Sequence, residues 1–260
     1  MDLRDKDGRM YHIQVKPGEI GEYVLIPGDP QRSKKIAKFF DNPKLVGNNR
    51  EYVTYTGFID DTKVSVCSTG IGGPSTAIAV EELVACGAKT IIRVGTCGGI
   101  DLNVKTGDLI IPQAAIRMDG TSKEYAPIEF PAVADINIIN ALIKASNDSN
   151  NKYHVGIIQS KDSFYGQHNP DRMPTSKELK MKWGGAWKKL GVLSSEMECS
   201  TLFTLGSFLH IRTGAVLLAI LNQERDSHNI DHETCFDTEN SIKTAINAVK
   251  ILIKKDKTSV

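Results

Sequence analysis

The chain has 260 residues, of which 40% are hydrophobic and 24% are charged, and its formal net charge is +1. A chain of this size can bury a sizeable core without disulfides or a structural metal, and its balanced charge gives no electrostatic reason to expect nucleic acid or a membrane as a partner. No apolar run approaches the roughly 20 residues that cross a bilayer, and the charged first ten residues do not resemble a signal peptide.

Short β-branched runs alternate along the chain with segments of helical periodicity, a pattern that is typical of an α/β sheet. We predict strands at residues 23–27, 64–68, 90–94, 109–112, 154–159 and 213–221, and helices at residues 75–86, 198–210 and 241–254. Glycine-rich turns are predicted after two of the strands, at residues 69–74 and 95–99, and a polar, mobile flap at residues 222–237. No linker or internal repeat divides the sequence, so we expect a single domain over residues 1–260.

Cysteine usage indicates a reducing compartment. The chain has five cysteines and no CxxC pair, and four of the five lie in apolar or glycine-rich segments. We therefore expect reduced, buried thiols in a cytoplasmic protein.

The first candidate site residues, Gly28 and Arg32, follow the first predicted strand. A glycine lets a backbone amide approach an anion closely, and an arginine on the opening turn of a helix can add a bidentate contact. Taken alone, this pair is better explained as a tight turn with a surface arginine.

Arg93 interrupts the otherwise apolar strand at residues 90–94, and Thr96 adds a hydroxyl in the turn that follows. A buried arginine is costly unless it pairs with an anion or with a carboxylate, for which Glu81 or Glu82 is a candidate. In open α/β sheets ligands bind at the carboxyl ends of strands, and two strand ends here carry a glycine and an arginine. This convergence favours a shared anion site over a structural ion pair.

Glu196 and Glu198 stand two residues apart at a predicted strand-to-helix junction. Two carboxylates are expensive to bury together, and one explanation is that they accept hydrogen bonds from the vicinal hydroxyls of a sugar. The other explanation is that they cap the N-terminus of the helix. The spacing leaves both explanations open.

The segment DSFYGQH at residues 162–168 follows the predicted strand at residues 154–159. Phe164 offers an aromatic wall, and the carboxamide of Gln167 both donates and accepts, which matches the alternating acceptor–donor–acceptor edge of uracil. The alternative is an ordinary loop with a polar tip.

The ordered motifs PGDPQR, NREY, CSTGIGGPSTAIAVEEL, RVGTCGGI, FPAVAD, FYGQ and SSEMEC together resemble those of the hexameric-type nucleoside phosphorylases, especially the uridine phosphorylases. The similarity runs from about residue 11 to the C-terminal helix. It implies a single α/β domain in which a central mixed sheet forms a distorted barrel flanked by helices. It also implies phosphorolysis of uridine to uracil and ribose 1-phosphate by dimers, which assemble into a homohexamer.

The resemblance also assigns roles to residues. Phosphate, a co-substrate, would be held by Gly28, Arg32, Arg93 and Thr96, with Arg50 from a neighbouring subunit. Ribose would be held by Thr96, Met197 and Glu198, with His12 from the neighbour, and the spacing argument adds Glu196. Uracil would lie against Phe164 and hydrogen-bond to Gln167. The expected catalytic residues are Arg93, Gln167 and Glu198. A monovalent cation, K⁺ for instance, would be held at the dimer interface by Glu51, Ile71 and Ser75.

The chemistry of phosphorolysis agrees with this set. The transition state has cationic ribose character and the nucleophile is an anion, so arginines and backbone amides that orient phosphate beneath the sugar supply several kcal/mol. Glu198 would lie near the developing positive charge. No covalent intermediate and no organic cofactor are required.

The sequence departs from the family at the base. Purine-specific relatives place an aspartate after the strand that corresponds to residues 213–221, where this chain has Asn222, and this argues against purines. Many uridine phosphorylases carry arginines where this chain has Asn169 and Gln223. The cation that supports the base is therefore open among four residues, which are Lys161, His168, Arg172 and Arg225.

Three other functions compete with phosphorolysis of uridine. A purine nucleoside phosphorylase of the same fold is the first. A hydrolase of the same fold is less consistent with the full arginine set, which favours phosphate over water. A nucleoside-binding protein without catalysis is opposed by the intact Arg32, Arg93 and Glu198.

Overall fold

The computed structural model describes residues 4–175, 177–178, 185–231 and 233–258. Its strands are β1 (Tyr23–Ile26), β2 (Asp41–Asn49), β3 (Tyr52–Ile59), β4 (Thr62–Cys67), β5 (Thr90–Gly99), β6 (Leu109–Met118), β7 (Ala132–Val133), β8 (Tyr153–Lys161), β9 (Ser194–Glu196) and β10 (Arg212–Asn222). Its helices are α1 (Pro30–Ala37), α2 (Gly73–Ala85), α3 (Thr121–Tyr125), α4 (Ile136–Asp148), α5 (Phe164–His168), α6 (Ala186–Lys189), α7 (Cys199–Phe208), α8 (Gln223–Ser227) and α9 (Glu239–Thr258).

All of these strands belong to one mixed sheet, which runs in the order β10-β6-β8-β9-β5-β1-β4-β3-β2, with β7 beside β6. Because β10 also pairs in parallel with β5, the strands β5, β10, β6, β8 and β9 close into a ring. The strands β1, β4, β3 and β2 extend the sheet from β5 to a free end at β2. The predicted fold, a mixed sheet that forms a distorted barrel flanked by helices, is confirmed.

Two apolar layers cover the sheet. Helices α2 and α7 pack together in one layer, where Leu83 and Phe203 are fully buried. Helices α4 and α9 pack together in the other layer, with Leu142 and Leu252 fully buried. Full burial of such a side chain contributes about 1.5–3 kcal/mol, so these helices fix the strands whose ends and loops border the candidate site.

The structure corrects two expectations about local structure and adds elements that were not predicted. The glycine-rich residues 95–99 belong to β5 and not to a turn, because β10 pairs with β5 as far as Gly99 and β9 pairs with its last two residues. The stretch at residues 222–237, predicted as a polar flap, begins with the last residue of β10 and continues with helix α8. Strands β2 and β3 and helix α4 were not predicted; β2 is largely exposed and polar, so it lacks the alternating pattern.

The free end of the sheet is irregular. Strand β2 carries Pro43, and its register with β3 shifts twice, between Asp41 and Lys44 and between Leu45 and Gly47. The β2–β3 turn holds Arg50 in a left-handed conformation, with φ of 53°.

Two further expectations concern composition. The cysteines are free thiols, and Cys67, Cys86, Cys97 and Cys199 are buried as predicted. None of the helices in the described ranges is long and apolar enough to span a bilayer. The domain limits at residues 1 and 260 stay a prediction.

Candidate active site

A cavity of about 680 Å³ lies where loops and strand ends around β5 meet. Most of the predicted site residues line it. The predicted substrate-binding residues in its wall are Gly28, Arg32, Arg93, Thr96, Phe164, Glu196, Met197 and Glu198, and the predicted cation residues in its wall are Glu51 and Ile71. The backbone register explains why Gly28 and Arg32 lie in the same wall as Arg93. Ile26 on β1 lies beside Arg93 on β5, so the chain that leaves β1 passes next to Arg93.

Gly28 and Arg32 are held tightly at this wall and do not form a loose surface turn. A Cβ at position 28 would lie 2.8 Å from the carbonyl oxygen of Gly70, so glycine is required where the two loops touch. Asp29 caps α1, and Arg32 on the first turn donates from Nη1 to the carbonyl of Val94 at 3.1 Å. Burial, and next the positive charge of Arg93, lower the pKa of Arg32.

Arg93 is 5% exposed and pairs with two carboxylates. Its Nε donates to Glu196 Oε2 at 3.2 Å, and its Nη2 donates to Glu198 Oε2. Burial opposes the charged form, but Glu198 and Glu196 together raise the pKa of Arg93, so it remains a cation. Its buried Nη1 has no hydrogen-bond partner among the described residues. A Cβ at Gly95 would lie 2.9 Å from Arg93 Cζ, so glycine there makes room for the guanidinium.

The partners of Arg93 differ from the proposed Glu81 or Glu82. Glu82 lies on α2 and is 6% exposed. It accepts from the backbone N–H of Ile13 at 2.8 Å, and its Oε1 lies 2.6 Å from Nδ1 of His12. In the sequence, the sign that Glu82 is buried and binds another side chain is that it is an acidic residue on the apolar face of helix α2. Glu82 therefore orients His12 and does not neutralise Arg93.

The two glutamates at the end of β9, Glu196 and Glu198, have different surroundings. Glu196 accepts from the backbone N–H of Glu198 at 2.8 Å and of Cys199 at 3.0 Å, from the hydroxyl of Ser160 and from Arg93. The capping explanation therefore holds for Glu196, whose two oxygens are both engaged by protein donors. Its predicted contact with substrate stays a prediction.

Glu198 occupies the N-cap position of α7, but its side chain makes no capping bond. Its Oε1 accepts from the backbone N–H of Gly72 at 2.6 Å, and its Oε2 accepts from Arg93. The carboxyl is 3% exposed; burial raises its pKa and the charge of Arg93 opposes that rise. Since each oxygen has one protein donor, each keeps a lone pair for a ligand hydroxyl.

A second cavity of about 590 Å³ adjoins the first and shares Gly98, His168 and Ser195 with it. Gln167 lines this second cavity, and its buried Oε1 has no partner among the described residues. The ring of Phe164 is half exposed and lies 4.5 Å from the ring of His168, centroid to centroid. The predicted base-binding residues thus surround the junction between the two cavities.

Asn222 does not face either of these cavities. It is 3% exposed, and its Nδ2 donates to the carbonyls of Asp101 and Val104 at 2.8 and 2.9 Å. Its Oδ1 accepts from the first backbone N–H groups of α8 and caps that helix. The side chain that was predicted to stand where purine-specific relatives have an acid therefore makes structural contacts, and the correspondence itself stays a prediction.

Two predicted substrate-binding residues, His12 and Arg50, line neither cavity. His12 is half-buried against Glu82, and Arg50 is exposed at the β2–β3 turn. The structure of one chain leaves their expected contribution to a neighbouring subunit as a prediction.

The predicted cation residues Glu51 and Ser75 lie together. Ser75 Oγ donates to Glu51 Oε1 at 2.7 Å, contacts the carbonyl oxygen of Thr69, and lies 3.1 Å from the hydroxyl of Tyr52. The hydrogen bond from Ser75 is the main cause that lowers the pKa of Glu51. Ile71 is 77% exposed beside the larger cavity. A cluster with one carboxylate and several neutral oxygens fits a hard cation of low charge.

Comparison with known proteins places these residues in a family context. A family model described as the phosphorylase superfamily matches residues 22–255. The uridine phosphorylase of Treponema pallidum (strain Nichols) is 54% identical over 246 residues, which cover 95% of both chains. The uridine phosphorylase of Thermococcus kodakarensis is 42% identical over 252 residues, which cover 96% of this chain and 89% of that one. A guanosine phosphorylase of Halorubrum lacusprofundi is 36% identical over 248 residues, which cover 93% and 98%.

Proposed function

This chain belongs to the phosphorylase superfamily, and on that premise we propose that it is a pentosyltransferase that cleaves uridine with phosphate to give uracil and ribose 1-phosphate. The observation that carries the proposal is Arg93, a fixed cation in the wall of the larger cavity. Two carboxylates orient its guanidinium, and Nη1 keeps an unused donor. An oriented arginine with a free donor suits an oxyanion such as phosphate.

Arg32 completes the anion site. The positive charges of Arg32 and Arg93 repel each other, and burial adds to the free-energy cost of keeping Arg32 charged. An anion bound between the two guanidiniums relieves both penalties, because it supplies the opposite charge in a region of low dielectric. Gly28 allows the backbone to approach the same anion, and Thr96 adds a hydroxyl.

Glu198 supports ribose and the transition state. When the C1′–N1 bond breaks, positive charge develops on the sugar, and a fixed carboxylate nearby stabilises it without reorganising. The free lone pairs of Glu198 can accept hydrogen bonds from the 2′- and 3′-hydroxyls, and Met197 adds an apolar contact. Glu196 acts through Arg93, which it holds in place.

The base is proposed to lie against Phe164 and to be read by Gln167. The unpartnered Oε1 of Gln167 can accept the N3–H of uracil, and its amide can donate to a neighbouring carbonyl. Cytosine presents an acceptor at N3 and a donor at its 4-amino group. The polar groups of the buried pocket would then face partners to which they cannot hydrogen-bond. In comparable sites such a mismatch lowers kcat/KM by a factor on the order of 10⁴–10⁵.

A purine nucleoside is the second candidate substrate, because one of the relatives is named for guanosine. The engaged side chain of Asn222 opposes it, since no acid stands at that position to protonate the purine ring. Losing a proton donor to a poor leaving group costs a factor of about 10²–10⁴.

The experiment that tests the proposal is turnover of a nucleoside panel with and without phosphate. We expect uridine to give uracil and ribose 1-phosphate with phosphate and to remain intact without it. Inosine, guanosine and cytidine are expected to react at least about 10²-fold more slowly. Equal cleavage of uridine in phosphate-free buffer would identify a hydrolase, and guanosine turnover as fast as that of uridine would identify the purine candidate.

We also propose that the active form is a dimer or a homohexamer built from dimers, in which Arg50 and His12 reach the neighbour's site. Three facts support this: Arg50 is exposed in a fixed turn conformation, Glu82 holds His12, and neither residue lines the cavities of its own chain. A symmetric pair of subunits exchanges the same residues in both directions.

Complementation tests the shared site. Arg50→Ala and Arg93→Ala subunits are each expected to be nearly inactive alone. When they are coexpressed, a mixed dimer has one site with both arginines intact, so roughly half of the sites should be active once the mixed dimers are isolated. Activity is measured after purification with two different affinity tags. A fully active wild-type monomer in sedimentation would contradict the proposal.

Two smaller proposals complete the assignment. Glu51, Ile71 and Ser75 would hold a monovalent cation such as K⁺, which would tie the β2–β3 turn to the loop before α2. The four buried free thiols support a cytoplasmic location, because reduced cysteines persist there.

A further inference from the structure

Lys161 is the last residue of β8 and is only 3% exposed, and no other lysine in the described residues is buried to this degree. Lysine is seldom fully buried without a paired carboxylate, because removing an ammonium from water is costly. Nevertheless, Lys161 Nζ has no carboxylate oxygen of a described residue within 4 Å; it donates to the hydroxyl of Ser195. A buried ammonium that uses one of three donors is available for a ligand.

The position of Lys161 is at the base end of the site. Lys161, Phe164 and His168 all line the larger cavity, and its partner Ser195 lines both cavities. Gln167 lies just across that junction. A base that stacks on Phe164 and hydrogen-bonds to Gln167 would therefore pass within reach of the ammonium.

Among the described residues, the other basic side chains near the base are engaged or distant. Arg225 pairs with Asp231 at 2.5 Å, and the guanidinium of Arg172 lies over the ring of Tyr165 at 5.3 Å; neither lines a described cavity of the site. Lys188 lines the smaller cavity and pairs with Glu224.

His168 remains, and its ring is neutral near pH 7. Burial is the main cause that lowers its pKa, and the charge of Lys161 adds to that effect. Its Nδ1 lies 2.6 Å from Gln223 Oε1, so a hydrogen bond orients the ring, and this bond only partly offsets the lowering of the pKa by burial.

We propose that the ammonium of Lys161 contacts the pyrimidine and stabilises the negative charge that the base acquires when the C1′–N1 bond breaks. In that step a phosphate oxygen forms the new bond to C1′, and the electron pair of the broken bond passes to N1 and spreads to the ring carbonyls. The base takes up a proton from water after the step. The inference rests on the proposed function and adds a catalytic residue to it.

The charge of Lys161 depends on pH in the relevant range. Burial lowers the pKa of Lys161 to about 8, although the negative charges of Glu196 and Glu198 oppose this shift. Among the described residues, His168 is a further titratable group beside Lys161. Because the protonated form is the active one, kcat/KM for uridine is expected to fall as the pH rises through this pKa.

The first test compares leaving groups in Lys161→Met. With uridine and phosphate, kcat/KM should fall by about 10²–10³, the usual loss when one fixed charge-stabilising donor is removed. With 5-fluorouridine the loss should be at least about tenfold smaller, because fluorine stabilises the departing anion and less help is needed. Lys144→Met removes an exposed lysine of α4 that pairs with Asp148 and lines neither cavity; it is the control and should retain activity.

The second test uses Lys161→Arg and does not require the methionine variant to fold. Arginine stays charged over the accessible range, so the loss of activity near pH 8 should disappear while part of the activity remains. Ionisation of uridine itself affects both enzymes equally and is therefore controlled. Thermal unfolding of each variant separates misfolding from lost chemistry.

The outcomes separate the two proposals. A wild-type protein that fails to cleave uridine with phosphate overturns the proposed function. An active wild type overturns the role of Lys161 alone if Lys161→Arg keeps the same decline near pH 8, or if folded Lys161→Met loses as much with 5-fluorouridine as with uridine.

Discussion

Replacement of Arg93 by methionine is expected to lower kcat/KM for uridine by about 10³-fold or more and to destabilise the protein at the same time. Arginines that stabilise a reacting oxyanion typically contribute 10³–10⁵ in rate, as a rough range. The change also leaves Glu196 and Glu198 buried without their cation, and breaking a buried pair on one side costs about 3–5 kcal/mol. The measurements are steady-state kinetics with varied phosphate and chemical unfolding.

Two variants control this experiment. Arg212→Met removes another paired arginine. Arg212 is the first residue of β10, and its Nη2 lies 2.6 Å from Asp256 Oδ2. This change should lower stability without abolishing turnover. Arg93→Lys keeps the charge but loses the planar fork, so it should recover stability better than activity. Arg93→Met with unchanged KM for phosphate and unchanged kcat would show that the anion site lies elsewhere.

Replacement of Glu198 by glutamine is expected to lower kcat for uridine by about 10²–10³, which is the usual cost of removing one electrostatic contribution to the transition state. Glutamine keeps the shape of the side chain but removes the negative charge beside the developing cation. It also presents a donor where Gly72 N–H or Arg93 needs an acceptor. The loss should be smaller with 2′-deoxyuridine, which lacks one of the hydroxyls that Glu198 is proposed to bind.

Glu196→Gln is the matched comparison for this variant. Glu196 accepts from backbone N–H groups at the start of α7. In Glu196→Gln, the side-chain NH₂ group would face these N–H groups and could not accept from them. An unsatisfied buried polar group costs about 1–3 kcal/mol, and we therefore expect lower stability with a smaller fall in kcat than for Glu198→Gln. If the two variants lost activity equally for both nucleosides, the separate roles assigned to these glutamates would be wrong.

The anion site was predictable because its residues break local rules. Arg93 stands in an apolar strand, and Gly28 stands where the chain leaves another strand, so each is conspicuous in the sequence. The glycines at residues 95–99 were wrongly predicted as a turn. Gly95 in fact clears the guanidinium of Arg93, and Gly99 clears the side chain of Asn222, both within an extended strand.

The remaining features depend on contacts between distant segments. Glu82 binds His12 from 70 positions away, and Glu196 binds Ser160 across 36 positions. Neither pairing has a local signal, because nothing near one partner indicates the other. The burial of Lys161 could not be predicted from the sequence either, since a lysine at the end of a strand is ordinarily at the surface.

The irregular free end of the sheet also bears on how the protein behaves at high concentration. An unpaired strand is a template for backbone hydrogen bonding with another molecule, and long, flat, apolar edges promote aggregation. Strand β2 is exposed, carries Asp41, Pro43 and Lys44, and loses register with β3 twice, so it offers no straight run of free donors and acceptors. The edge formed by β2, which leads into the turn that holds Arg50, can therefore stay exposed to solvent without starting fibril formation.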